Sequence, residues 1–169
     1  MSQTLMIKSY LDIPIGHLRI IVSEKGIKNI HIIKQGQLET NELADIDSQT
    51  VEPHQTDLLE KTKKQLSEYF AGMRKQFDLP LDIQGTEFQK QVWLLLMDIP
   101  YGQTASYQQI AELAGNPKAV RAVGMANNKN RIPLIIPCHR VIGKNGDLVG
   151  YAGGLDIKKW LLDHEKQNS

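Results

Sequence analysis

The chain has 169 residues, of which 41% are hydrophobic and 23% charged, and its net charge is +1. This composition is typical of a globular protein, and the length allows one large domain or two small ones. A single cysteine excludes an internal disulfide and a multi-cysteine zinc site, and no apolar run reaches the ~20 residues of a membrane helix. We expect a cytoplasmic, monomeric protein with no signal peptide, no membrane association and no metal ion.

The first third of the sequence alternates in hydrophobicity as β-strands do. Turn signals at Pro14–Gly16 and Glu24–Gly26 separate three short runs rich in Ile, Leu and Val, which predict an antiparallel meander. The polar, acidic stretch Gln35–Gln55 predicts a loop or a sheet edge. A helix is predicted next, because Asp57 and Glu60 stand at capping-box spacing before an apolar stripe.

The region near Gly85 predicts a domain boundary. Phe77–Gly85 indicates one more strand and a linker, and the charge balance changes behind it. Residues 1–85 have 10 Lys and Arg against 12 Asp and Glu, whereas residues 86–169 have 10 against 7. We predict an α+β N-terminal domain over residues 1–85, a sheet with a helix on it, and a mostly helical C-terminal domain over residues 86–169.

Residues 86–117 contain three signals that are typical of helix starts. Thr86–Gln89 and Ser106–Gln109 are capping boxes, and each precedes an apolar stripe of helical period. Asn116-Pro117 predicts the start of a third helix, since proline is favoured at the first helical position. The second and third helices have helix-turn-helix spacing, which is found both in DNA-binding proteins and in ordinary helical cores.

Small residues surround Arg121 in the third predicted helix: Ala119, Ala122, Gly124 and Ala126. Two interpretations fit this pattern. The helix either packs closely on a neighbouring helix or lies against a bulky partner such as a nucleic-acid backbone, with Arg121 reaching past it.

The only cysteine lies in an apolar run with two prolines. Pro133 and Pro137 forbid a regular helix and predict an extended segment. Asn145-Gly146 then predicts a hairpin, and Leu155–Glu165 predicts an amphipathic helix.

Cys138 has two interpretations. A lone buried cysteine is often an inert small hydrophobe. A nucleophilic thiolate needs a base or a positive charge nearby, and His139 and Arg140 are adjacent. Because neighbours on an extended segment point to opposite sides, we expect His139 to act through a water molecule. A cysteine hydrolase is an alternative, although such enzymes usually draw their histidine from far along the sequence.

The motif Pro137–Val141 (PCHRV), with Arg121–Gly124 (RAVG) and Asn130 before it, resembles the O6-alkylguanine-DNA alkyltransferases, the methylated-DNA–protein-cysteine methyltransferases. The resemblance covers nearly all of residues 86–165. It implies a variable, ribonuclease-H-like N-terminal domain and a C-terminal domain with a helix-turn-helix.

The resemblance also implies a reaction. Such a protein binds double-stranded DNA, turns an O6-alkylguanine out of the base stack and takes the alkyl group irreversibly onto its own cysteine, once per molecule. Extrusion is required because the alkyl carbon cannot reach a buried thiolate while the base is stacked. No cofactor is implied, and O4-alkylthymine is a second candidate substrate.

The implied catalytic site has five residues. Cys138 resembles the nucleophile, and His139 the base that deprotonates it through a water. Glu165 would orient His139, Asn130 would tie the helix-turn-helix to the active-site turn, and Tyr107 would reach the flipped guanine. Arg140 is expected to be a structural ion-pair donor.

The implied DNA surface is the second helix of the helix-turn-helix, lying in the minor groove with little sequence preference. Arg121 would fill the gap left by the flipped base, Tyr107 would crowd the target phosphate, and Ala119, Ala122 and Ala126 would allow close approach.

Tyr151, Ala152 and Val141 would line the substrate pocket. Other family members carry different residues at Val149-Gly150 and at Ala152, so the resemblance does not define the width of the pocket. The cysteines that bind a metal in the N-terminal domain of some members are missing here. A lesion-binding helix-turn-helix protein and a cysteine hydrolase are the alternatives to a repair transferase.

Overall fold

The structure is a computed structural model that describes residues 6–37 and 52–169. Its contacts divide the chain between Ile83 and Gln84 into two compact units. The described residues of the first unit form a sheet and one helix, and the second unit is mostly helical, so the predicted α+β class is confirmed. None of the described helices is long and apolar enough to cross a bilayer.

The N-terminal unit contains the predicted meander. Strands β1 (Ile7–Ile13), β2 (Gly16–Val22) and β3 (Ile27–Lys34) pair antiparallel in the order β1-β2-β3. The tight β1–β2 turn requires glycine, because Gly16 has a φ of +139° and a Cβ there would meet the Ile33 carbonyl oxygen at 2.1 Å. Alternate residues of β2 are buried, as expected for a sheet with one covered face.

Helix α1 (Pro53–Phe70) begins earlier than predicted. Its N-cap is Glu52, which forms a capping box with Gln55, so the prediction of a start at Asp57 and Glu60 is wrong. Proline at the first helical position explains the earlier start. Most of the polar stretch predicted as a loop, residues 38–51, lies outside the described residues.

The strand predicted over residues 77–85 is reduced to one isolated bridge, between Leu81 and Ile27. The prediction of a regular strand there is wrong. Pro80 has no N–H to donate, so pairing consists of Ile27 N–H to the Pro80 carbonyl and Asp82 N–H to the Ile27 carbonyl.

Both predicted capping boxes of the C-terminal unit are confirmed. Helix α2 (Glu87–Met97) is capped by Thr86, and helix α3 (Tyr107–Leu113) is capped by Ser106. A short strand β4 (Ala105–Ser106) leads directly into α3.

Helix α4 (Val120–Asn128) begins three residues after Pro117, so the start predicted at Asn116-Pro117 is wrong. Asn116 instead forms a turn: its side chain accepts the Lys118 N–H, and its carbonyl accepts the Ala119 N–H at 2.9 Å. Helices α3 and α4 still follow one another across a short turn.

The segment around the cysteine is not extended. Cys138–Arg140 form one turn of 3₁₀ helix after Leu134, which has a φ of +74°. Strand β5 (Val141–Ile142) pairs in parallel with β4, so the predicted Asn145-Gly146 hairpin is wrong, although a turn closes there. The predicted final helix is confirmed as α5 (Leu155–Gln167).

Candidate active site

Cys138 opens the 3₁₀ turn and is almost completely buried. Two asparagines fix the backbone around it, Asn127 in the last turn of α4 and Asn130 just after that helix. Asn127 donates its side-chain N–H to the Cys138 carbonyl at 3.3 Å, and Asn130 donates to the Ile136 carbonyl at 2.8 Å. Asn130 also accepts the Ile132 N–H at 3.0 Å. The thiol is therefore positioned by backbone contacts from α4, the second helix of the helix pair.

His139 and Glu165 form a buried hydrogen bond. His139 Nε2 lies 2.6 Å from Glu165 Oε2, and both side chains are at most 1% exposed. Glu165 is thus not a solvated residue of the last helical turn. The bond links the Cys138 turn to α5, as the resemblance implies.

Arg140 completes this network. Its Nε donates to Glu165 Oε1 at 2.8 Å and its Nη2 to Glu165 Oε2 at 3.2 Å, while its Nη1 donates to the Ile99 carbonyl at 2.7 Å. The Gly102 N–H donates to Glu165 Oε1 as well, at 3.2 Å. Two charge-assisted bonds from one guanidinium give the carboxylate a single orientation. Arg140 is the ion-pair donor expected from the sequence.

The charges in the network follow from these contacts. Burial alone would raise the pKa of Glu165, but its bonds to His139 and Arg140 outweigh burial and hold that pKa well below its usual range. Burial lowers the pKa of His139, which is therefore neutral at neutral pH. Because Nε2 faces a carboxylate, it carries the ring proton.

The other ring nitrogen of His139 has the properties of a base. Nδ1 is buried and has no hydrogen-bond partner among the described residues. Its lone pair is free because Nε2 holds the proton. No hydrogen bond joins the Cys138 thiol to the imidazole within the described residues, and the action of His139 through a water molecule stays a prediction.

Burial raises the pKa of Cys138 to about 11, while the Asn130 amide and the Lys158 charge oppose that shift. At neutral pH the resting side chain is therefore a thiol. A proton acceptor is needed when the sulfur reacts, since the thiolate is the nucleophile.

Two tyrosines accompany the thiol. The Tyr107 hydroxyl donates to the Val149 carbonyl at 2.9 Å, and burial raises the pKa of Tyr107, with the nearby Cys138 adding to the shift. The Tyr151 hydroxyl is buried without a hydrogen-bond partner in the part of the chain that the structure describes. Burial and Cys138 raise its pKa as well. Among the other predicted pocket residues, Val141 is buried and Ala152 is exposed.

The exposed side of α4 includes some of the predicted DNA-contacting residues but not all. Arg121 and Ala122 are exposed and Ala119 is half-buried. Ala126 is only 2% exposed, and its carbonyl accepts the Trp93 indole N–H at 2.8 Å. The prediction that Ala126 belongs to an exposed surface is wrong, because this turn of α4 packs on α2.

Three residues of the site were missed at the level of sequence: Asn127, Gly102 and Lys158. None of the sequence patterns described above assigns a role to Asn127 or Gly102, whose hydrogen bonds reach residues far along the chain. Lys158 is completely buried, which helical periodicity could have indicated because Ile157 and Leu161 flank it on the apolar side of α5.

Comparisons with known proteins agree on one family. Residues 87–167 match the family model "6-O-methylguanine DNA methyltransferase, DNA binding domain", and residues 6–83 match the model of its ribonuclease-like domain. The methylated-DNA–protein-cysteine methyltransferase of Methanosarcina acetivorans is 46% identical over 95% of this chain and 98% of its own length. The constitutive enzyme of Bacillus subtilis is also 46% identical, over 92% of both chains.

Solved structures that are similar to this chain belong to the same family of methyltransferases. The Mycobacterium tuberculosis protein OGT in complex with DNA is similar with a TM-score of 0.80 and 41% identity, over 96% of this chain and 94% of that one. A structure of the Mycobacterium tuberculosis O6-methylguanine methyltransferase gives a TM-score of 0.79 and 39% identity, over 98% and 95% of the two chains.

Proposed function

This chain belongs to the family of methylated-DNA–protein-cysteine methyltransferases, and we propose that Cys138 is the cysteine that receives the alkyl group. The protein is a DNA-binding repair enzyme that acts by alkyl transfer. Its substrate is O6-alkylguanine in double-stranded DNA, and O4-alkylthymine is a second candidate. The observation that carries the proposal is the buried contact of His139 with Glu165 directly behind the only thiol.

The proposed reaction is a direct displacement. The Cys138 proton passes, through a water, to His139 Nδ1, and the sulfur forms a bond to the alkyl carbon while the bond from that carbon to guanine O6 breaks. The electron pair stays on the guanine, where a hydrogen bond from the Tyr107 hydroxyl stabilises the leaving anion before it takes up a proton. The thioether is stable, so each molecule reacts once.

Glu165 and Arg140 have a positioning role in this proposal. Glu165 keeps the His139 proton on Nε2, and Arg140 keeps Glu165 ionised and oriented. Transfer of the thiol proton to Nδ1 then produces an imidazolium next to a carboxylate, which stabilises that charge. Asn130 holds the backbone that carries the nucleophile.

We propose that α4 approaches the minor groove with little sequence preference, and that Arg121 fills the gap left by the flipped base. Support comes from the exposure of Arg121 and of the small residue Ala122. Tyr107 lies next to α4, since a Cβ at Gly124 would stand 4.0 Å from its ring, so both helices of the pair contribute to this surface.

We also propose that the protein acts as a monomer, without a cofactor, in the cytoplasm. A reducing compartment suits the mechanism, because a single-use thiol must reach its substrate unoxidised.

Intact-protein mass spectrometry tests the function. We expect the protein to gain one methyl group per molecule after mixing with duplex DNA containing O6-methylguanine, and peptide mapping should locate that group on Cys138. The Cys138→Ser variant should bind the same DNA and gain nothing. DNA binding with unchanged mass in the native protein would favour a lesion-binding protein, whereas product release over many turnovers would favour a hydrolase.

A further inference from the structure

Lys158 is a completely buried lysine in α5 that the proposed reaction does not use. Its Nζ donates to the Val141 carbonyl at 2.5 Å and to the Val149 carbonyl at 3.1 Å. It also lies 5.7 Å from the centre of the Tyr107 ring, a distance typical of a cation–π contact. Each of these partners belongs to the neighbourhood of Cys138.

This ammonium has no carboxylate partner in residues 6–37 and 52–169. Burial without a counter-charge lowers the pKa of Lys158 to about 8. A buried charge without an ionic partner destabilises a fold relative to an apolar side chain of similar volume. Packing alone therefore does not account for a lysine at this position. Its contacts with Val141, Val149 and Tyr107 indicate a role close to Cys138.

The two carbonyls belong to different segments of the chain, one on each side of the predicted substrate pocket. Val141 directly follows the Cys138–Arg140 turn, and its carbonyl is part of the backbone that carries the nucleophile. Val149 begins the segment 149–154, which we call the Tyr151 loop. One nitrogen thus joins the turn that holds the thiol to the loop that holds Tyr151.

The Tyr151 loop needs such a connection. It contains two glycines with positive φ, Gly150 at +57° and Gly154 at +101°, and it has no regular secondary structure. The loop has one internal backbone hydrogen bond, from Gly154 N–H to the Tyr151 carbonyl at 2.9 Å. Glycines in this region leave many backbone conformations accessible when nothing external restrains them.

The Val149 carbonyl accepts two hydrogen bonds, from Lys158 Nζ and from the Tyr107 hydroxyl at 2.9 Å. In the proposed reaction the Tyr107 hydroxyl turns to the flipped guanine and must leave this carbonyl. Lys158 is then the side chain that still holds Val149, and with it the loop.

We propose that Lys158 is a positioning residue for alkyl transfer: its ammonium fastens the Tyr151 loop to the Cys138 turn, so that the pocket keeps its shape while Tyr107 contacts the substrate. This role rests on the proposed function of Cys138. An ammonium suits it because three donors on one tetrahedral nitrogen can reach two diverging carbonyls from the end of a flexible chain.

The test compares Lys158→Met with Lys159→Met. Met has a similar length and no donor, and Lys159 is the next residue of α5, exposed and paired with Asp163. We expect Lys158→Met to slow single-turnover methyl transfer at saturating duplex DNA on the order of 10- to 100-fold, because small misplacements of reacting groups have effects of that size. Its affinity for DNA should stay within about twofold of the native value, and Lys159→Met should behave as the native protein.

Hydrogen–deuterium exchange supplies a readout that overall stability does not determine. In Lys158→Met, residues 149–154 should exchange faster while α2 keeps its native protection. Should that variant fail to fold, Lys158→Gln, which retains a shorter donor, replaces it in both assays and is expected to show the same changes to a smaller extent. Native transfer rates in a folded Lys158 variant would overturn the proposal, as would slow transfer with unchanged exchange in the loop.

The native protein separates the two proposals. If it gains no methyl group at Cys138, the proposed function fails whatever Lys158 does. If it gains the group at Cys138 and a folded Lys158 variant does so equally fast, only the role of Lys158 fails.

Discussion

The network of His139, Arg140 and Glu165 and the exposed side of α4 are built in opposite ways, although the proposed function gives both a part in handling the same substrate. His139 and Glu165 are at most 1% exposed, and the Glu165 carboxylate accepts hydrogen bonds from three residues. Arg121 and Ala122, by contrast, are exposed on the helix surface. Under the proposed function, chemistry that depends on one proton position takes place in the core, whereas contact with DNA of any sequence is made by exposed side chains that can change conformation.

Removing the Glu165 carboxylate tests the role of the buried network. Of the changes considered, it should have the largest effect on stability and on methyl transfer. Glu165→Gln leaves Arg140 buried without its counter-charge, and because it replaces one acceptor oxygen by an NH₂ donor, the side chain can no longer accept from His139, Arg140 and Gly102 together. We expect the free energy of unfolding to fall by about 3–5 kcal/mol and methyl transfer to slow by at least 100-fold. Chemical denaturation and single-turnover kinetics measure the two effects.

Asp163→Asn is the matched control, because Asp163 lies on the same helix in an exposed pair with Lys159. Exposed pairs contribute about 0–1 kcal/mol, so this variant should keep both its stability and its transfer rate. Similar losses of stability and transfer rate in the two variants would mean that the buried ion pair contributes no more than an exposed one.

A pair of alanines in α4 tests the boundary between the buried and the exposed region. Ala126→Leu puts a large side chain where α4 packs on α2 and should destabilise the protein by about 1–3 kcal/mol. Ala122→Leu, one turn earlier on the exposed side, should change the free energy of unfolding by less than about 0.5 kcal/mol and instead weaken DNA binding. The reverse order of stability would contradict the assignment of the two surfaces.

The same alanines show how far sequence alone could lead. Local signals predicted local structure: the Thr86 and Ser106 capping boxes specify where α2 and α3 begin, because side chain and backbone partners lie three residues apart. Ala122 and Ala126 look alike in the sequence. Only the long-range contact of Ala126 with Trp93 separates a core residue from a surface residue.

In the candidate site, too, local sequence signals indicated some residues, whereas others are recognised only by their long-range contacts. The PCHRV motif placed Cys138 and His139 together, but the two prolines predicted an extended segment where the structure has a 3₁₀ turn. Asn127 and Lys158 act through carbonyls 11 and 17 residues away, respectively. Helical periodicity can indicate that Lys158 is buried, but it carries no signal for which carbonyl Lys158 or Asn127 contacts, so a single sequence could not indicate these hydrogen bonds.

Titration of the Cys138 thiol tests whether solvent reaches this side chain in the folded protein. Burial raises the pKa of Cys138 in the folded state to about 11, above that of the unfolded chain. Between these two values the unfolded state loses its proton first, so the stability contributed by Cys138 is present below the unfolded pKa and decreases as the pH rises towards 11.

The measurable quantity is the free energy of unfolding of the native protein minus that of Cys138→Ser. We expect this difference to fall by about 1 kcal/mol between pH 8 and pH 10. Lys158 also titrates in this range, but it is present in both proteins and largely cancels. A difference that is constant with pH would mean that solvent reaches the thiol in the resting protein.

Arg121→Ala tests the exposed region and should have the smallest effect on the protein itself. Because Arg121 is exposed on α4, its removal should change the free energy of unfolding by less than about 0.5 kcal/mol. Transfer from duplex DNA should slow, since the gap in the stack is no longer filled, while transfer from free O6-methylguanine base should keep its native rate. The ratio of the two rates isolates base flipping from chemistry, and the exposed Lys118→Ala is the control for a general loss of positive charge. Equal slowing with both substrates would assign Arg121 to the pocket and remove the division of labour between the exposed helix and the buried network.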